Sequence, residues 1–328
     1  MTPIRRVCHS GLILSLAVGS ALAAHSQVQS STHQSVAENK AEEEKYYADA
    51  HPYLDLPLSK LKKTLDLLGG LKPAPDQEQL SAILAKLAEK TDEALPKIPN
   101  LLADEAVTET QRAYFQGATP HCIAGCLDPA PGLQRDLKFN YIILAHPAQS
   151  RVVLLEEYRT DRDGKPVEAA DAPHFQGFAS LWAFFSSSDQ VELRFHYLGQ
   201  QKTDGHAAFV IGFAQIPGSI EYPAMIVTSK GTIPMLLQGV VWIDQADFRI
   251  VRLHADLLAP QPDFNYLKQT FDIQFGPARI SALSLDLWLP RAVDVETEAE
   301  GQLWKEQHRY TKYRLYQTKS KIILGPTN

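Results

Sequence analysis

With 328 residues, 45% of them hydrophobic and 21% charged, the chain has the balance of a folded globular protein with a substantial core. Its formal charge of −6 and the scatter of its Lys and Arg exclude the clustered basic surface that a phosphate backbone needs, and with it nucleic acid as a partner.

The first 23 residues set the expected compartment. Arg5 and Arg6 form a positive leader, Gly11 to Leu22 an apolar run, and Ala21-Leu22-Ala23 a small-x-small cleavage signal. This is the pattern of a signal peptide over residues 1–23, and it predicts a periplasmic or secreted protein cleaved near Ala23. The apolar run falls short of the roughly 20 residues of a spanning helix, and no later stretch reaches that length. No transmembrane span is expected, and peripheral membrane contact stays open. Cys8 precedes the apolar run, so it is not placed for lipid attachment.

Residues 24–53 mix acids and bases, with no aromatic before Tyr46, and read as a disordered or loosely helical leader. Residues 54–115 read as a helical segment. Leu58, Leu61, Leu65 and Leu68 recur at helical spacing until Gly69-Gly70 and Pro73 stop them. Asp76 then offers a cap before a second stripe of Leu80, Ile83, Leu84, Leu87 and Ala88, closed by Pro96 and Pro99. Ser59 and Lys62 share the S-x-x-K spacing of penicillin-recognising enzymes, but S-D-N and K-T-G are missing, so Ser59 reads as a helix start.

Residues 116–137 form a Pro- and Gly-rich connector carrying Cys122 and Cys126. In an oxidising compartment this pair reads as a local disulfide. A zinc site with His121 would lack a fourth ligand, and redox chemistry favours C-x2-C over the C-x3-C found here.

Residues 138–324 then read as an antiparallel β domain. Candidate strands are Lys138 to Ala145, Val152 to Thr160, Val191 to Gln201, Ala207 to Gln215, Ala224 to Thr228, Met235 to Ile243, Phe248 to Leu258, Phe264 to Phe275, Ala282 to Leu289, Ala292 to Glu300 and Gln302 to Tyr316. Turns at Asp163-Gly164, Asp204-Gly205, Lys230-Gly231, Gly276-Pro277 and Gly301 separate them, and connections this short imply antiparallel neighbours, hence a meander. The clearest pair is Gly239 to Leu258, two strands folded back across Asp244-Gln245-Ala246-Asp247, whose Asp side chains suit a tight turn. Asp161, Asp163 and Gly164 lack the remaining ligands of a calcium loop and read as a hairpin turn. Gly177 to Ser188 is a buried helix, a strand or a flap, whose Trp182, Phe184 and Phe185 are either core or a ligand's contact surface.

The chain has no H-E-x-x-H, G-x-S-x-G, phosphate-cradling or dinucleotide motif, so no catalytic residue, metal ligand or cofactor is assigned. His196 and His254 fall on strands beside Arg194 and Arg252, and Glu156, Glu157 and Arg159 on another. These read as solvated or cross-strand charges unless the fold gathers them.

One order of features is familiar: Tyr197-Leu198-Gly199, the Asp204-Gly205 turn, Phe209-Val210-Ile211, Gly239 to Asp244, Arg249-Ile250-Val251-Arg252, Leu289-Pro290, and Tyr310 to Tyr316. Over about residues 190–325 it resembles the periplasmic lipoprotein-carrier (LolA-like) fold and a set of uncharacterised exported bacterial proteins. The resemblance implies an α+β protein, a curved antiparallel β-meander forming a half-open barrel lined by apolar side chains and plugged by helices. Such a barrel either fills its interior or leaves a groove for an apolar guest. Trp182, Phe185, Trp242, Val251, Leu253, Phe271, Leu285 and Leu287 are the candidate groove residues, with Val241, Ile243 and Ile273 in the inward-facing set. The function expected is non-enzymatic binding of a hydrophobic or acylated ligand, or a lipidated protein, in that groove. The alternatives are a cell-envelope protein-interaction module docking through its helices, and an envelope hydrolase of unrecognised type.

Overall fold

The computed structural model describes residues 38–113, 132–147, 153–167, 177–179, 181–220, 223–280 and 286–316. The expected signal peptide, Cys122, Cys126 and Leu285 lie outside them. Three α-helices are seen there: α1 over 38–46, α2 Leu58–Thr64 and α3 Leu80–Ala94. The strands are β1 Lys72–Pro73, β2 Leu101–Ala113, β3 Leu133–Pro147, β4 Val153–Thr160, β5 Leu193–Thr203, β6 His206–Gln215, β7 Ala224–Thr228, β8 Gly231–Met235, β9 Leu237–Asp244, β10 Ile250–Leu257, β11 Tyr266–Arg279, β12 Asp286–Ala299 and β13 Gln302–Leu315.

Eleven of these make one sheet in the order β1-β5-β6-β9-β10-β11-β12-β13-β2-β3-β4, antiparallel at every step, and β7 pairs with β8 as a separate hairpin. This is the antiparallel meander the turn spacing predicts, open and α+β as the resemblance implies. It has one departure from chain order, where β13 lies beside β2.

The sheet curls strongly. Strands β4 and β5 are nine ladder steps apart, which on a flat sheet would separate them by about 43 Å. Yet Ala179 N–H donates to Glu157 on β4 at 3.1 Å, while the Phe185 ring packs 6.3 Å from Phe195 on β5. The six residue steps from Ala179 to Phe185 reach at most about 21 Å. Only a trough brings both edges within that span. Register shifts at Tyr197/Gly199, Ile250/Arg252, Gln274/Phe275 and Thr311/Arg314 supply local bends.

Each face carries its own core. On the concave face, Val241, Ile243, Leu253, Phe271, Ile273 and Leu287 pack with Ile83 and Leu87 of α3, with Phe178 and Phe185, and with Ile226 and Ile233 of the β7–β8 hairpin. On the convex face, Leu61, Leu65, Leu68 and Leu71 cover Val210, Val240, Trp242 and Val251.

Several expectations are corrected. The helical segment 54–115 ends early: β2 alternates buried and less buried residues from Leu101 through Thr110, the period of a strand, and inserts between β13 and β3. Pro96 and Pro99 end the helical stretch, and the acids interrupting β2's apolar pattern hid its alternation. The leader 24–53 is ordered over its described part: 38–46 is helical, and the Tyr47 hydroxyl donates to Pro234 O at 2.9 Å and accepts from Leu236 N–H at 3.1 Å. Gly276-Pro277 and Leu289-Pro290 are not turns, since they pair across β11 and β12, with the register shift at Gln274/Phe275 accommodating Pro290. Asp76 caps the turn before α3, taking Glu78 N–H at 3.0 Å, while the helix itself begins at Leu80.

Candidate functional site

At one end of the concave face a pocket of about 130 Å³ opens between α3 and the sheet. Its walls are Leu87, Ile98, Trp182, Phe275, Leu287 and Trp288, and its rim carries Lys90, Lys97 and Arg249 with Glu93 and Asp286.

Local chemistry builds the rim. Asp244 accepts Ala246 N–H at 2.6 Å and Asp247 accepts Arg249 N–H at 3.1 Å, the self-bonding turn expected of Asp244 to Asp247. The chain leaves this turn with Phe248 at φ 60°, which swings Phe248 and Arg249 to the pocket. Trp288 is pinned by its indole N–H donating to Ile250 O at 2.6 Å, and the Arg249 guanidinium lies 5.6 Å from its ring centroid. Trp182 is half-buried, and its indole N–H finds no acceptor among the described residues.

The eight groove candidates do not meet. Trp182 and Leu287 line the pocket. Phe185, Leu253 and Phe271 lie on the same face but are 0%, 1% and 1% exposed, so they are core rather than contact surface. Trp242 and Val251 belong to the convex face beneath α2 and the residues that follow it. Trp242 alternates with the inward Val241 and Ile243, and the register shift between Ile250 and Arg252 turns Val251 away from Leu253 despite their spacing of two. Leu285 is outside the described residues. Sequence reasoning missed Arg249, Lys97 and Trp288, because only packing shows that α3 ends opposite the β9–β10 turn.

Polar groups sit deeper in the trough. Glu105 accepts two hydrogen bonds from Arg159 and accepts from His308 Nδ1 at 2.8 Å, and His308 Nε2 lies 3.0 Å from Glu306. Tyr141 donates to Glu157, which also takes the Ala179 N–H. Burial opposes charge on Glu105, but Arg159 and His308 overcome it and hold the carboxyl at about 2. Burial likewise works against the His308 cation, and Glu105 and Glu306 outweigh it, raising the imidazole above its ordinary value. His308, Glu105 and Glu306 are at most 1% exposed in their side chains, so this network is closed to solvent.

The convex face holds a second cluster. Arg252 grips Asp272 at 2.8 and 2.6 Å, and His254 sits 3.0 Å from Asp256, which also accepts the Tyr53 and Thr270 hydroxyls. His254 is therefore buried and paired, not the solvated face residue expected. His196 lies on the ladder His196–Gly212–Val240–His254, three strands away, so the two histidines do not converge. Among the described residues no group of three or more His, Cys, Asp or Glu is placed to hold a metal ion, and no helix is long and apolar enough to cross a membrane.

No protein-family model matches the chain. No curated protein matches it. Seven solved chains are similar to it, two of them as follows. One, provisionally described as an outer membrane lipoprotein-sorting protein domain from Vibrio parahaemolyticus, is 12% identical over 73% of this chain and 93% of its own, with a TM-score of 0.36. The other, a DUF1329 family protein from Desulfovibrio piger, is 12% identical over 73% of this chain and 94% of its own, with a TM-score of 0.34. Backbones with such scores superpose loosely, and what this trough can hold follows from its own residues.

Proposed function

We propose that this is an exported binding protein that seats the apolar end of a hydrophobic or acylated ligand, free or carried by a lipidated partner, in the pocket at the end of its trough. The observation that carries the reading is the pocket itself, an apolar cavity flanked by the half-buried Trp182 and Trp288 on a face where Phe185, Leu253 and Phe271 are buried core. Its volume is close to that of a cavity of about 150 Å³ known to bind benzene, and well below the roughly 300 Å³ at which drug-sized sites begin. It therefore suits a chain terminus or a ring, with the remainder of the ligand outside. Binding is favoured over catalysis because the Glu105, Arg159, His308 and Glu306 network, the richest gathering of titratable groups on the concave face, is buried and mutually paired. Export rests on the leader pattern of residues 1–23.

Organic extraction of the purified full chain followed by lipid mass spectrometry should recover a bound apolar compound. Displacement of a fluorescent acyl probe provides the quantitative test. Leu287→Arg fills the pocket with a charged side chain and should weaken the probe by about tenfold or more, the loss of one buried apolar contact. Equal probe binding by Leu287→Arg and the unaltered protein would sink the reading.

A further inference from the structure

We infer that the ligand of this pocket is an anionic amphiphile, with an acidic head group held at the rim by Lys97 and Arg249 and its apolar end between Leu87, Trp182 and Leu287. This rests on the pocket reading above and adds the chemistry of the head.

The charges of the rim are unequally committed. Glu93 is taken by Lys90, whose ammonium lies 2.9 Å away, and Asp286 is approached by Arg279 at 3.8 Å. Glu93 thus has a close cation, while the Arg279–Asp286 contact, with side chains 88% and 62% exposed, is a screened one, and the three cations of the lining, Lys90, Lys97 and Arg249, outnumber its two acids. Lys97 makes no ion pair within 4 Å among the described residues, and its charge reaches Glu93 only at longer range. Arg249 has only a loose contact, 3.4 Å to Asp247, with both side chains nearly half exposed at 44% and 47%, a pair that water screens. The entrance of this apolar cavity therefore carries one more cation than acid among its lining residues, and an acidic group placed there would balance the surplus. The platform is stiff: Arg249 lies over Trp288, and Trp288 is fixed to Ile250 O, so the guanidinium is poised with donors to spare. A carboxylate or a phosphate meets the same requirement, since both accept charge-assisted hydrogen bonds from a guanidinium and an ammonium.

The test uses eight-carbon probes that differ only in the head: octanoate, octyl phosphate, octanol and octylamine, titrated against the intact protein and followed by tryptophan fluorescence and calorimetry. Octanoate or octyl phosphate should bind about tenfold more tightly than octanol, with octylamine weakest, as expected for one or two charge-assisted contacts. Whichever acid binds more tightly assigns the head. The double variant Lys97→Gln/Arg249→Gln, both positions being on the rim, should bring the acids down to the affinity of octanol and so abolish that preference. Octanol binding as tightly as both acids, or a double variant that keeps the preference, overturns the inference while leaving the pocket reading intact. If none of the four probes binds, the pocket reading itself fails.

Discussion

Glu105 and Arg159 face each other across the interior of the sheet, Arg159 Nε 2.5 Å from one carboxylate oxygen and Nη2 2.8 Å from the other, with side chains 0% and 3% exposed. Each charge is tolerated there because the other is present, and His308 shares the same carboxylate. Arg159→Met should destabilise the protein by about 3–5 kcal/mol, because it strands a buried carboxylate, whereas Glu105→Met/Arg159→Met should recover much of that loss. Chemical denaturation of the two variants checks it. A single variant no less stable than the double would contradict it.

The same carboxylate predicts an acid limb. Its value falls from 4.5 to about 2 on folding, a depressed acid, so its stabilisation is complete above pH 4.5 and is lost as pH drops toward 2. Stability measured across that interval should fall, and Glu105→Gln should flatten the fall.

Glu43 behaves in the opposite sense. It is 0% exposed on α1, one carboxylate oxygen takes Gly218 N–H at 3.0 Å, and the other has no partner among the described residues. Burial, opposed by the Gly218 N–H and reinforced by Glu192, pushes the carboxyl up to about 7. A raised acid penalises the folded state as it ionises, so the cost is absent below pH 4.5 and complete above about pH 7. Glu43→Gln should therefore stabilise docking of residues 38–46 at pH 8 and make little difference at pH 4.5. Hydrogen exchange of that helix at the two pH values reads the effect, and an equal change at both would refute it.

His254 supplies the alkaline counterpart. Burial works against its cation, but Asp256 and Asp272 prevail and raise it from 6.5 to about 9. Its contribution is full below pH 6.5 and disappears as pH rises through 9. Thermal melts between those values should show a decline in stability that His254→Gln removes.

Gly239 marks the tightest backbone approach of the β9–β10 hairpin, where a Cβ would lie 1.9 Å from His254 O. Gly239→Ala must push β10 off its ladder and should cost about 1–3 kcal/mol or more. A variant that melts at the unaltered temperature would show that the two strands can separate freely.

Period-two alternation and turn chemistry made the strands legible. Ala224–Thr228 matches the expected bounds, and the Asp204-Gly205 turn has φ of 47° and 85° at its two residues, the positive values a tight hairpin needs. The same local signals misplaced β2, where Glu105 and Glu109 occupy positions that an apolar strand pattern would fill, and divided β12 at Pro290.

The sequence by itself determined most of the strands beyond residue 137 and that neighbours pair antiparallel, since a side chain's alternation and a turn's backbone needs are settled within a few residues. Tertiary structure alone decided the faces and the site. A single register shift put Val251 on the far side of the sheet from Leu253, and curling brought Glu157 of β4 and Phe195 of β5 against one short segment. It also set Lys97, Arg249 and Trp182 around one cavity. Those meetings depend on the summed bend of eleven strands and on where helices settle across them, quantities that no local window of the chain contains.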